Sequence, residues 1–313
     1  MSQNSDVRRL VQPINGQQGN RIRFSNVLPI LSVHALCLGV IWVGWSAVAV
    51  GIAAALFFVR MFFITAFYHR YFSHRTFQAH RITQFFFALA GLTAAQRGPS
   101  WWAAHHRSHH RHSDKEPDLH SPTLRGLLWS HVGWFISDDG DRVNWDAVPD
   151  WAKYPELRWL ERNHRIGAFL MITLMGLTGW ALSSYWPQLQ TSPMQLIVWG
   201  FAISTTALYH STFTINSLSH TFGTQRFRTG DDSRNNWLLA LLTLGEGWHN
   251  NHHYYPGTAR QGFYWWEIDI TYYILRLMQA TGLIWGLRPV PPRVYAAAEA
   301  HQNADRHHAE HGE

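Results

Sequence analysis

The run FSNVLPILSVHALCLGVIWVGWSAVAVGIAAALFFV, Phe24 to Val59, contains no Asp, Glu, Lys or Arg. A helix that crosses a bilayer needs about 20 mostly apolar residues, so this run holds two, joined by the turn GWSA near Gly44. A second charge-free tract extends from Ile166 to Gln225. It breaks at SSYWPQLQTSP, where Pro187 and Pro193 end a helix. The pattern predicts spans at about 26–46, 47–66, 166–186 and 194–214, by the hydropathy criterion. The expected fold is an all-α integral membrane protein: four transmembrane helices in two hairpins, under a cytoplasmic helical cap.

Charge placement predicts orientation. Neither inter-helix turn carries a charge, whereas Arg8, Arg9, Arg21 and Arg23 precede the first span. Positive loops stay on the cytoplasmic side, which puts both termini and every large polar segment there. The net charge of +6 suits a surface lying against anionic lipid headgroups. Arginines dispersed among Trp and His make no stripe for nucleic acid. A single cysteine, Cys37, excludes disulfides and cysteine-ligated zinc or iron–sulfur sites.

The polar first two dozen residues show no secretory leader pattern. The expected organisation is therefore a cytoplasmic segment 1–24, one domain 25–295, and a disordered His-rich tail 296–313. Arg60 is expected to snorkel to the headgroups. Trp101, Trp186, Trp265 and Trp266 read as interfacial anchors. The stretch from Gln261 to Trp285 is too interrupted for a fifth span and belongs to the cap or interface.

Of 21 histidines, eight fall in three clusters beside the predicted spans. HRYFSH supplies His69 and His74; HRSHH supplies His106, His109 and His110; GEGWHNNHH supplies His249, His252 and His253. The last two clusters share the spacing i, i+3, i+4, which puts three imidazoles on one helical face. The first is spaced i, i+5, about 140° apart on an ideal α-helix. Either that helix ends or loosens between Tyr71 and His74, or the chain bends there. Neutral imidazole suits zinc, copper, iron and nickel. One tetrahedral ion takes about four ligands, so eight histidines point to a dimetal site. Asp114, Glu116, Asp118, Asp231, Asp232 and Glu246 are candidates to hold the ligand rings.

The three boxes, H-x4-H, H-x2-HH and H-x2-HH, resemble those of the membrane fatty-acyl desaturase family over about Tyr68 to Pro256. GEGWHNNHH and SHVGW, Ser130 to Trp134, look most like its Δ9, stearoyl-CoA desaturase-like branch. The resemblance implies an O2-dependent oxidoreductase with two iron ions that puts a cis double bond, at Δ9, into a long saturated acyl-CoA chain. It implies a ninth ligand, His220 in NSLSH, and Asn216 as holder of a metal-bound water. One iron would take His69, His74, His106, His110 and His252; the other would take His109, His220, His249 and His253. Gln96, Trp102 and Thr212 stand where the branch shapes its substrate tunnel.

The resemblance has gaps. Animal members of the branch have Arg-Asp before the second box and Arg-Lys after SHVGW, both serving coenzyme A; here stand Ala104 and His105, and Asp138 and Asp139. Arg97, Arg107 or Arg142 are candidate substitutes, and an acyl-lipid or acyl-carrier-protein substrate stays open, as does hydroxylation on the same scaffold. A metal transporter would carry ligands inside its spans. No fused HPGG electron carrier occurs, so electrons would come from ferredoxin, rubredoxin or cytochrome b5 with an NAD(P)H reductase.

Overall fold

A computed structural model describes residues 21–311, with side chains through residue 301. Most of the expected N-terminal segment lies outside the described residues. The described fold is helical; its only β pairing is four isolated bridges. Helix α1 spans Phe24–Cys37 and is prolonged by a short turn of helix at Val40–Val43. Helix α2, Ala47–Phe62, continues without a break as a π-helix through Ser73. Then come α3 (Arg81–Leu92), α4 (Pro99–His112), α5 (Pro155–Arg162) and α6 (Ile166–Tyr185). Helix α7, Ser204–Ser217, is the last part of a continuous run that starts at Pro193. Helices α8 (His249–Tyr254), α9 (Ile270–Ala280) and α10 (Pro292–His311) complete the chain.

Among the described residues, three helices are long and apolar enough to cross a membrane: Phe24–Val43, Ala47–Ser73 and Ile166–Tyr185. Their outer faces show Ile41, Trp42, Phe169 and Leu177 to the surroundings, with Trp42 79% exposed. Such a continuous apolar belt fits lipid rather than water. The run from Pro193 to Ser217 is more polar, and two of its hydroxyls face a buried charge. Arg60 is 1% exposed and donates to Ser204 and Thr205 of α7 and to the carbonyls of Leu56 and Thr93. The expectation that Arg60 snorkels is therefore wrong. The guanidinium is buried, and two hydroxyls of α7 are among its partners.

The turn after α1 is bonded to the run that starts at Pro193. Ser46 caps α2 by accepting from Ala49 N–H and donates to Gln195, whose amide donates to Val43 O. Trp199 Nε1 donates to Gly44 O. Glycines set two close crossings: a Cβ at Gly167 would stand 2.0 Å from Leu92 O, and one at Gly179 would stand 2.5 Å from Pro193 Cα. The segment from Ala296, read from sequence as disordered, continues α10 as helix to His311. Val294 and Ala298 bury its first turns against Phe227 and Phe263.

Candidate metal centre

The i, i+5 spacing of the first box is answered by backbone geometry. Residues 63–73 form a π-helix, whose i→i+5 bonding stacks residues five apart. His74 N–H donates to His69 O at 3.2 Å, and the two rings lie 4.9 Å apart. The loosening runs through the whole box rather than only between Tyr71 and His74.

The second box lies on α4. Gly98 precedes that helix, and Glu161 of α5 accepts from the N–H groups of Ser100 and Trp101 at 2.9 and 3.0 Å. A carboxylate there satisfies orphan donors at the helix start. A Cβ on Gly98 would collide with that carboxylate at 2.4 Å.

In the third box, Gly247 lets α8 begin against neighbouring backbone, since a Cβ there would stand 2.1 Å from Ala240 N. The two asparagines in HNNHH have structural work of their own. Asn250 accepts from Arg226 N–H and Phe227 N–H. Asn251 donates to Gln261 O and Glu267 and accepts from Asn235 and Arg226.

Nine imidazoles converge in two groups whose candidate ligand atoms lie within 4.8 Å of one another. One group is His69, His74, His106, His110 and His252; the other is His109, His220, His249 and His253. Each same-face triplet is split. The i and i+4 rings His106 and His110 go to one group while His109 goes to the other, and His252 leaves His249 and His253 in the same way.

Acidic side chains fix four of the rings from behind. The Nδ1 atoms of His109, His220 and His253 meet Asp118, Asp114 and Asp231 at 3.0, 2.8 and 2.7 Å, and His69 Nδ1 meets Glu246. Burial opposes ionisation of Asp114, but bonds from His220, Ser121 and the Asp232 N–H outweigh it and hold Asp114 down to about 2. Asp118, Asp231 and Glu246 are likewise held below the usual carboxylate range despite burial. Neither Glu116 nor Asp232 bonds a ligand ring among the described residues; Asp232 instead accepts from Thr123.

The donor set fits metal. The rings meet through Nε2: His69–His252 at 3.0 Å, His74–His106 at 2.7 Å, His106–His110 at 3.0 Å and His110–His252 at 2.9 Å. A ring nitrogen bears either a proton or a lone pair, never both. The Nε2 atoms of His106, His110 and His252 each face two others, and one N–H cannot point at both. Protonating further does not help, because burial first, then the neighbouring rings, keeps these three imidazoles far below their ordinary pKa. A cation at the centre satisfies every lone pair at once. In the second group, His220 and His249 meet the same way at 3.0 Å.

Beside both groups lies a cavity lined by Gln96, Trp102, Thr212, Asn216, His106 and His249 among others. Gln96 donates to Thr212 at 2.9 Å, and the Trp102 ring stacks on His106 at 5.0 Å. So the three tunnel candidates and the candidate water-holder, Asn216, line the same cavity as His69, His106, His109 and His249.

The candidate coenzyme-A cations fare differently. Arg107 is consumed by Asp150 and the carbonyls of Phe72, Ser73 and Ala147. Arg97 pairs with Asp141 at 2.6 Å, whereas Arg142 makes no ion pair among the described residues; Arg23, not one of the candidates, pairs with Asp138 and Asp141.

Sequence reasoning missed three supporting residues. Arg70 is fully buried and ties Glu246 to Asp269. Gln261 donates to Glu246, and Glu161 caps α4. Arg70 had a signal, since it stands inside the first box; the other two are distant in sequence and had none.

A fatty acid desaturase family profile matches residues 43–285. The chain is 36% identical over 265 residues to icosanoyl-CoA 5-desaturase of Limnanthes douglasii, covering 82% of this chain and 70% of that protein. It is 36% identical over 270 residues to sn-1 stearoyl-lipid 9-desaturase of Anabaena variabilis, covering 84% and 93%. With sn-2 palmitoyl-lipid 9-desaturase of Nostoc sp. (strain 36) it shares 34% over 288 residues, covering 88% and 95%. The histidine groups and these likenesses agree: the chain belongs to the fatty acid desaturase family, is an oxidoreductase, and resembles the Δ9 branch.

Proposed function

We propose that this chain is an O2-dependent, di-iron fatty acyl desaturase that introduces a cis double bond at Δ9 into a long saturated chain. The observation that carries this reading is the shared wall between the two imidazole groups and the cavity lined by Gln96, Trp102 and Thr212. Zinc has no redox chemistry, whereas removing hydrogen from an unactivated methylene requires an oxidant made from O2. Bound irons supply that oxidant. The balance is one –CH2–CH2– unit, O2, two electrons and two protons giving –CH=CH– and two waters.

The residues have separate tasks. His69, His74, His106, His110 and His252 hold one ion; His109, His220, His249 and His253 hold the other, with a water beside Asn216. Asp114, Asp118, Asp231 and Glu246 keep four rings in the tautomer that presents Nε2 inward. Gln96 and Thr212 grip each other and, with Trp102, bend and register the acyl chain. The apolar lining, including Met61, Ile64 and Phe213, excludes water from the reacting carbons.

The run from Pro193 acts as the fourth span, completing two hairpins. The polar segments form a cap on the cytoplasmic side, following the positive-inside pattern. Exposed Trp237, Leu238, Trp265, Trp266 and Leu277 support a cap seated in the interface. Electrons come from a separate carrier, ferredoxin, rubredoxin or cytochrome b5 with its NAD(P)H reductase.

An acyl-CoA substrate is the first reading of the headgroup, in line with relatives named as acyl-CoA desaturases. One observation favours a second, acyl-lipid reading. The loop 137–142 packs on the cavity wall through Gly140 O, which accepts from Trp101, and its acids neutralise Arg23 and Arg97. Paired cations are poor clamps for phosphate.

The test is expression in a host that lacks unsaturated fatty acids, with double bonds mapped by mass spectrometry and H252A as control. Cis-Δ9 chains from the wild type, absent with H252A, support the reading. A hydroxylated product, or unchanged product from H252A, overturns it.

A further inference from the structure

Three part-buried or exposed histidines outside the metal centre form a continuous string beside Phe213, a cavity-lining residue. His34 of α1 bonds Ile30 O through Nδ1 at 2.8 Å and His210 of α7 through Nε2 at 3.0 Å. His210 Nδ1 meets His131 Nε2 at 3.0 Å. His131 Nδ1 meets Ser217 Oγ at 3.0 Å, and Ser217 Oγ reaches Phe213 O at 3.0 Å. His210 and His131 also lie 6.3 and 5.6 Å, ring to ring, from Phe213.

Counting protons decides what this string is. Both ends are carbonyl oxygens, which only accept. From Ile30 O to Phe213 O there are five contacts, and each needs one proton to be a hydrogen bond. Three neutral imidazoles bring one proton each and the Ser217 hydroxyl brings one, which makes four. A neutral string therefore always contains one contact with no proton in it. Adding a single proton closes all five. With the charge on His34, His210 or His131, the closed string differs only by proton hops along bonds that already exist.

We infer that His34, His210 and His131 together form a binding site for one proton, held in common rather than by any one ring. The titratable groups facing His131 and His210 are other members of the string. Beside His34 on α1, Cys37 is bonded to Val33 O and to Thr206 of α7. Among the described residues, no carboxylate, Lys or Arg is bonded to the string. Burial, and then His210, push the His131 imidazolium down; closing the fifth bond pulls the other way, because hydrogen bonds donated by an ionised ring are stronger than neutral ones.

When closed, the string links α1, α7 and the segment Trp129–Gly133 beside Phe213. Ionisable side chains within membrane helices are costly to keep without a partner, and here each has two. The inference stands on this geometry alone and not on the desaturase reading.

The experiment is 15N solid-state NMR of the full-length, metal-loaded protein in lipid bilayers, with imidazole-labelled histidine. Wild type is expected to keep one imidazolium at least about one pH unit above the ordinary histidine value of about 6.5. His34→Phe and His210→Phe each remove it, because breaking the string anywhere removes the shared site. Absence of that imidazolium in wild type overturns the inference whether or not a variant folds. Its survival in a folded His210→Phe variant also overturns it. Neither readout depends on whether the protein forms alkenes.

Discussion

Asp231 Oδ2 lies 2.7 Å from Nδ1 of His253, while its other oxygen accepts from Thr229, Ser233 N–H and Ser233 Oγ. An Asp231→Asn variant can keep the second set only by turning its NH2 toward His253. The ring must then move its proton to Nε2, the atom proposed to bind the second metal ion. Loss of such outer partners typically costs about 10–100-fold in metal affinity. Titration with limiting iron should therefore show one ion weakened by that order, with the helical circular dichroism signal retained.

The acids behind the ligand rings also predict how the centre fails in acid. Asp114 has its pKa depressed to about 2, against about 3.9 for an unfolded aspartate. A depressed carboxylate contributes stability that is present above the unfolded value and lost as pH falls through the folded one. The metal-free protein should lose stability between about pH 4 and pH 2. Asp114→Asn should flatten that part of the profile in thermal unfolding followed against pH.

Glu161 predicts the opposite sign. Burial, the largest influence, raises its pKa to about 7 despite the bonds from Trp101 and Ser100. A raised carboxylate favours the folded state fully below its unfolded value of about 4.3. That contribution is lost as pH rises through about 7. Glu161→Gln keeps an acceptor for the start of α4 but removes the titration, so its unfolding temperature should become less pH-dependent between pH 5 and 8. The gain at pH 8 should be on the order of 3 kcal/mol or less.

Much of this centre was legible in the sequence because helical spacing carries direct geometric meaning. The triplets at i, i+3, i+4 had to share a face, and the structure adds how each face is divided between two groups. The i, i+5 pair posed a real conflict with α-helix geometry, and the π-helix through residues 63–73 resolves it. What composition concealed was polar burial inside the membrane region. Arg60 read as a snorkelling charge because its partners Ser204 and Thr205 lie more than a hundred residues away. The helix after Ala296 was hidden because its polar composition resembles a solvated end, while its anchor on Phe227 and Phe263 is tertiary.

The cavity makes a specificity prediction. Gln96 and Thr212 are bonded to each other at 2.9 Å, so Thr212→Val removes the bond at nearly constant volume, whereas Trp102→Ala opens the wall beside His106. Thr212→Val should blur double-bond position, and Trp102→Ala should shift chain-length preference. Fatty acid profiling of cells expressing each variant checks both, and unchanged products from both would count against a substrate role for this wall.

The most direct test of the central claim is the metal content of the purified protein, measured with the wild type beside His252→Ala and His220→Ala. Two irons per chain in the wild type, with one position impaired in each variant, is the predicted result. A single iron per chain, or full iron binding in both variants, would contradict the account.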